Sequence, residues 1–148
     1  MEAQQDFKEL LELFNKYRVE YMIVGGYALA FHWAPRYTGD MDIYIKPDSQ
    51  NGERITTALK DFGFGEIGLS VEDFIYPEKV IQLGVPPVRI DIITSLSGVT
   101  WDEASAGKMS ALYGDTEVYL IGREQFIKNK KATGRKRDIA DLESLGIE

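Results

Sequence analysis

Cysteine is absent from the sequence, which excludes both a disulfide framework and a thiolate metal site. Histidine occurs once, as His32 among Phe31, Trp33 and Pro35. Packing or capping is the simpler role for it, and no serine–histidine triad can be assembled. No apolar run approaches the roughly 18 residues that cross a bilayer. The opening stretch Met1-Glu2-Ala3-Gln4-Gln5-Asp6 lacks the positive charge and apolar core of a secretory signal, so a cytoplasmic location without a membrane partner is expected. Internal repeats, low-complexity tracts and linkers are also missing. The 148 residues suit one domain, 1–148, able to bury a sizeable core.

Positive charge is scarce as well. Against 24 acidic residues stand 17 basic ones, a formal charge of −7, which argues against a surface that tracks nucleic acid along its whole length. The exception is the segment from Lys128 to Arg137. It holds Lys128, Lys130, Lys131, Arg135, Lys136 and Arg137 and no acidic residue. Such a segment suits local contact with phosphate, or else is a solvated helix end.

Pattern supplies the rest. Phe7, Leu10, Leu11, Phe14 and Tyr17 recur at helical spacing, and Val19 to Val24 then reads as a strand. Gly25-Gly26 ends it, and a short helix follows that stops before Pro35. From Asp40 to Lys46 the alternation is clean, with Met41, Ile43 and Ile45 on one side and Asp40, Asp42, Tyr44 and Lys46 on the other. A helix from about Gln50 to Phe62, capped by Asp48 or Ser49, ends at Gly63. Ser70 to Asp73 suits a helical turn. Val80 to Leu83 and Val88 to Thr94 form a strand pair, and a short helix starts at Thr100 with Glu103 as its capping partner. Ser110 to Leu112 and Glu117 to Ile121 suit a hairpin over Gly114-Asp115. Two helical stretches, Glu124 to Lys131 and Lys136 to Leu145, close the chain. This order indicates an α/β (α+β) protein: a mixed sheet flanked by helices and covered mainly on one face.

Chemistry concentrates at three carboxylates. Asp40 and Asp42 lie two apart on a strand and project to the same side, where they repel unless a cation sits between them; hard oxygens suit Mg²⁺. The plainer alternative is a strand with its polar face in water. Asp91 interrupts the apolar run Val88-Arg89-Ile90-Asp91-Ile92-Ile93, where an unpartnered carboxylate is expensive. It completes a three-carboxylate cluster if the two strands are neighbours; otherwise it pairs with a nearby Arg or Lys. Gly25-Gly26 allows close approach of a ligand to the backbone, and the N–H groups of the next helix favour an anion such as a triphosphate.

Val24-Gly25-Gly26, then Asp40-Met41-Asp42-Ile43 fourteen residues after Gly26, then Asp91 on a later strand, resemble the signature of the polymerase-β-type nucleotidyltransferases. Arg36-Tyr37-Thr38-Gly39-Asp40-Met41-Asp42 is similar to the minimal toxin-type branch of abortive-infection and toxin–antitoxin systems. The tail from Asn129 to Leu142 resembles the C-terminal motif of that branch. The resemblance implies a palm-like sheet with the glycine turn and the aspartates at one cleft. It makes Asp40, Asp42 and Asp91 the catalytic and metal-holding set, with Mg²⁺ or Mn²⁺ as cofactor and Asp91 a ligand or the base. The nucleotide-binding set it implies is Gly25, Gly26, Tyr27, Arg36, Thr38, Lys130, Arg137 and Asp138, with Asp138 orienting Lys130. The implied reaction moves a nucleoside monophosphate from a nucleoside triphosphate such as ATP to a hydroxyl of RNA, a protein or a small molecule.

Two departures follow. Many members carry a serine after the glycines; Tyr27 stands here, which leaves phosphate contacts at that point to the backbone. The helical domain that holds the acceptor in larger relatives is missing, which points to a homodimer, a cognate protein partner or a macromolecular acceptor. A catalytically weak or inactive nucleotide-binding or interaction module of the same fold is the alternative, as is a structural protein whose aspartates are engaged in salt bridges.

Overall fold

A computed structural model describes residues 4–33, 39–65 and 67–147. Helix α1 (Gln5–Lys16) buries Phe7, Leu10, Leu11 and Phe14 along one stripe, and the Gln4 side chain caps it by accepting from the Phe7 N–H at 3.0 Å. Strand β1 (Tyr21–Val24) is buried along its whole length and passes without a linker into α2 (Gly25–His32). Strand β2 (Asp40–Ile45) is followed by α3 (Ser49–Leu59), capped by Asp48, whose carboxylate accepts from the Asn51 N–H at 2.7 Å. The helix runs on through a wider turn to Phe64, with Gly63 at φ 105°.

Strands β3 (Val80–Val85) and β4 (Val88–Ile93) pair antiparallel. Helix α4 (Trp101–Gly107) starts on the expected Thr100 cap, whose hydroxyl accepts from the Glu103 N–H at 3.2 Å. The hairpin of β5 (Met109–Tyr113) and β6 (Thr116–Leu120) turns over Gly114-Asp115. Helices α5 (Arg123–Thr133) and α6 (Lys136–Ser144) follow, joined at Gly134, which takes φ 61°. Among the described residues no helix is long and apolar enough to cross a membrane.

The six strands form one mixed sheet in the order β3-β4-β2-β1-β6-β5. The pairs β2–β4 and β1–β6 are parallel and the rest antiparallel. On one face Met41, Ile43, Ile45 and Ile23 pack with α1 and α3. On the other, Met22, Val24 and Tyr44 pack with Ala28 and Leu29 of α2, Trp101 and Ala104 of α4 and Phe126 of α5. Helices therefore cover both faces, which corrects the expectation of a sheet covered mainly on one. Tyr44 shows why. It shares the side of Asp40 and Asp42, yet it is 3% exposed, with its ring centroid 5.1 Å from that of Trp101. The second face is covered at the Tyr44 end of β2 and open at the Asp40 end, and that opening is the cleft.

Candidate active site

Register brings the three aspartates to that opening. In the parallel pairing of β2 with β4, Asp40 lies beside Arg89 and Asp42 beside Asp91. Residues two apart on a strand share a face, so all four side chains emerge together. Arg89 offers Nε to Asp91 Oδ1 and Nη2 to Asp91 Oδ2, each at 3.1 Å, and its Nε lies 3.7 Å from Asp40 Oδ2. The strands are neighbours, as the cluster alternative for Asp91 requires, but the contact Asp91 makes is the arginine bridge of the other alternative.

Among the described residues Asp42 receives no such bridge. Burial, together with the charges of Asp91 and Asp40, pushes its carboxyl up to about 6, against the opposing pull of Lys130 and Arg137. Its neighbour across β1 is Val24, so the next residue, Gly25, lies directly against it. Gly25 takes φ 67°, and a Cβ there would run into the Asp42 carboxylate. The glycine thus serves the turn from strand to helix and the close approach to Asp42 together. The leading N–H groups of α2 have no acceptor within their own helix and give this end of the cleft partial positive charge.

Gly25→Ala is accordingly expected to cost more than the roughly 1–2 kcal/mol of left-handed strain alone. Gly134→Ala is the control, since Gly134 has φ 61° and a methyl group added there would meet only the Lys131 carbonyl oxygen, at 3.8 Å. Urea melts of the two variants decide the matter: equal losses would contradict a collision at Gly25.

The cleft is a cavity of about 940 Å³. One wall carries Asp40, Asp42, Asp91 and Arg89, one end carries Gly25 and Gly26, and the facing wall carries Lys130, Thr133, Arg135, Arg137 and Asp141. Lys130 donates to Asp138 Oδ1 at 3.0 Å, and Asp138 is fully buried. Of the expected nucleotide-binding residues, Gly25, Gly26, Lys130 and Arg137 line the cavity, and Asp138 stands behind Lys130. Tyr27 does not line it: the ring lies in the core, edge-on to Phe7 and Tyr113, so only its backbone remains near the glycine turn. Arg36 and Thr38 fall outside the described residues. His32 is a packing residue, with Nε2 2.6 Å from the Ile121 carbonyl and its ring edge-on to Trp33.

Arg89, Thr133 and Asp141 line the walls without having been singled out from the sequence, whereas Arg135 belongs to the basic segment expected to meet phosphate. For Arg89 the signal was available, because it precedes Asp91 by two on one strand face.

Among the described residues no group of three or more His, Cys, Asp or Glu stands ready to hold a metal ion. Arg89 engages both oxygens of Asp91 and lies close to Asp40. The donor chemistry nevertheless fits a hard divalent cation. All the donors are carboxylate oxygens, and Asp42 is pushed up first by burial and then by the charges of Asp91 and Asp40, the setting in which a cation would restore the ionised form.

The sequence matches no protein-family model and no curated protein. Solved structures do match the fold. A Thermotoga maritima protein assigned to the nucleotidyltransferases, TM1012, superposes with a TM-score of 0.63 at 13% identity, over 95% of this chain and 90% of that one. The lincosamide antibiotic adenylyltransferase LnuA, in its lincomycin-bound form, gives 0.56 at 16% identity, over 98% and 97%. An antigenic nucleotidyltransferase-like protein from Paracoccidioides brasiliensis gives 0.55 at 17%, over 96% and 74%. The fold is therefore nucleotidyltransferase-like, a mixed α/β architecture.

Proposed function

We propose that the chain is a metal-dependent nucleotidyltransferase, moving a nucleoside monophosphate from a nucleoside triphosphate to an acceptor hydroxyl with release of pyrophosphate. The observation that carries this reading is the convergence of Asp40, Asp42 and Asp91 beside the Gly25 turn, across one cavity from Lys130 and Arg137.

Asp40 and Asp42, with Asp91 as a third ligand or as base, would hold Mg²⁺ or Mn²⁺. Bound there, such an ion supplies Lewis-acid stabilisation of the charge that builds on the phosphate oxygens. The chain's own groups do the positioning. The first N–H groups of α2 and the cations of Lys130 and Arg137 receive the triphosphate. The acceptor oxygen bonds to the α-phosphorus while the bond from that phosphorus to the α–β bridging oxygen breaks. Pyrophosphate leaves with that electron pair, and the acceptor proton passes to Asp91 or to solvent. For metal to reach Asp91, Arg89 must release it.

The motifs around Asp40 and along Asn129–Leu142 favour the toxin-type branch, with a cytoplasmic setting and a homodimeric or cognate protein partner. The acceptor is then RNA, a protein or a small molecule. LnuA illustrates a small-molecule case within this fold.

Incubation with each triphosphate and Mg²⁺ in the presence of acceptor pools is expected to yield pyrophosphate. The yield should fall to background in Asp40→Asn/Asp42→Asn, and release that survives this double change would remove the proposed site. One observation favours a second reading, a nucleotide-binding module without turnover: Tyr27 turns into the core and leaves no side-chain hydroxyl at the glycine turn. Saturable nucleotide binding with no pyrophosphate from any pool would select it.

A further inference from the structure

Lys130 does not stand on the cleft wall by itself. Helix α5 ends at Thr133, Gly134 reverses the chain, and Arg135 precedes α6, so the first turn of α6 folds back on the last turn of α5. This brings Asp138 under Lys130 with no exposure to solvent. Its Oδ1 accepts from Lys130 Nζ at 3.0 Å and from Arg135 Nη2 at 3.4 Å. Its Oδ2 accepts from Thr133 Oγ1 at 2.6 Å and from Arg135 Nε at 2.7 Å. Thr133 Oγ1 also lies 3.0 Å from the Lys130 carbonyl, but its single proton serves the shorter, charge-assisted bond. Asp141 Oδ2 stands 3.9 Å from Lys130 Nζ, and the ammonium lies 5.4 Å from the centroid of the Phe126 ring.

We propose that Thr133 and Arg135 are positioning residues for the nucleotide: by saturating the Asp138 carboxylate they fix the Lys130 ammonium on the cleft wall, ready for a triphosphate. The proposal rests on the nucleotidyltransferase reading, since it concerns the ligand of that site. The physical case is one of shared bonds. A carboxylate with four donors divides its attraction among them, so Lys130 can turn a proton toward phosphate without leaving its anchor. With Thr133 or Arg135 gone, Asp138 draws the ammonium closer and withholds it. A long, flexible side chain held in place beforehand also loses less freedom when the ligand arrives. Arg135 suits this work because its planar fork meets both oxygens of Asp138, which an ammonium at that position cannot do.

Thr133→Val keeps the shape and removes the donor. Titration calorimetry with each of the four nucleoside triphosphates and Mg²⁺ is expected to show affinity falling about fivefold to tenfold, a part of what one charge-assisted hydrogen bond is worth, because the lost bond acts on the ligand only through Lys130. Thr133→Ser should bind as the wild type does. In turnover the loss should fall on KM and leave kcat within about twofold. The decisive arm is a double-mutant cycle: in Lys130→Met, adding Thr133→Val should weaken binding no further. Wild-type affinity in Thr133→Val, or its full penalty persisting without Lys130, would overturn the positioning role. A wild-type protein that binds none of the four triphosphates would instead remove the nucleotidyltransferase reading, and the proposal with it.

Discussion

Replacing Asp42 with asparagine is expected to cut nucleotidyl transfer by about two orders of magnitude or more while making the metal-free protein more stable at neutral pH. The two effects have one origin. Asp42 is buried beside Asp91 and Asp40, and its carboxyl is pushed up to about 6. A carboxyl whose folded value lies above its unfolded value binds its proton more tightly in the native state. Its ionisation therefore opposes folding at pH 7, and stability is regained as pH falls from about 7 toward 4. Asparagine removes the charge and keeps the shape, so Asp42→Asn should gain roughly 1–2 kcal/mol at pH 7 to 8 after discount for solvent screening, and nothing near pH 4. Urea melts of wild type and variant across that range, taken without metal, check the sign. Activity should fall by about 10²–10³-fold or more, the scale on which groups that meet transition-state charge contribute. A variant both less stable and still active would show that Asp42 is a structural carboxylate.

Asp138→Ala is expected to give the largest loss of stability of any single change at the site. The carboxylate is fully buried and receives Lys130, Thr133 and Arg135. Burial alone would push its carboxyl up, but the hydrogen bonds from Arg135, Thr133 and Lys130 and the Lys130 charge outweigh it and hold the group well below the usual carboxylate range. Removing it takes the close carboxylate from the largely buried Lys130 ammonium, which keeps the longer contact with Asp141, while the half-exposed Arg135 turns to solvent. The loss is therefore about 3 kcal/mol, the low end of the range for a buried pair. For a chain of this size that lowers the melting temperature by roughly 10 °C. The pH signature is opposite to that of Asp42. The stabilisation is present above the unfolded value near 4 and is lost as pH falls through the folded value, so variant and wild type should converge in acid. A loss under about 1 kcal/mol at pH 7 would contradict the buried clasp, being the scale of an exposed pair.

Local order was legible in the residues wherever one physical signal decided it. The alternation of Asp40 to Lys46, the Thr100 and Glu103 cap and the Gly114-Asp115 turn each announce their element, and the structure follows them. Coverage of the sheet was not legible. Tyr44 sits in a polar-looking series with Asp40 and Asp42, and only the return of Trp101 from a helix far along the chain buries it. Strand pairing across β2 and β4 is equally non-local: Asp91 follows Asp42 by forty-nine residues, and their register depends on the whole sheet. The basic tail suggested phosphate contact, yet Lys130 and Arg135 both donate to Asp138, and Lys128 is paired with Glu103 at 2.5 Å. A run of cations on paper says nothing of which ones remain turned toward a ligand. Helical spacing hinted at the Arg135–Asp138 contact, three residues apart, but the reversal at Gly134 that adds Lys130 is tertiary.

The central claim is that the carboxylate wall and the cationic wall together receive a metal-bound nucleoside triphosphate. Thermal melting with each of the four triphosphates, with and without Mg²⁺, beside Asp40→Asn/Asp42→Asn, tests it most directly. Only a ligand of the folded state raises the midpoint, and one present at a hundredfold excess over its dissociation constant adds about 2.7 kcal/mol. A Mg²⁺-dependent rise of roughly 5–10 °C is expected with at least one triphosphate, absent in the double variant. No shift with any triphosphate, or an equal shift in the variant, would contradict it.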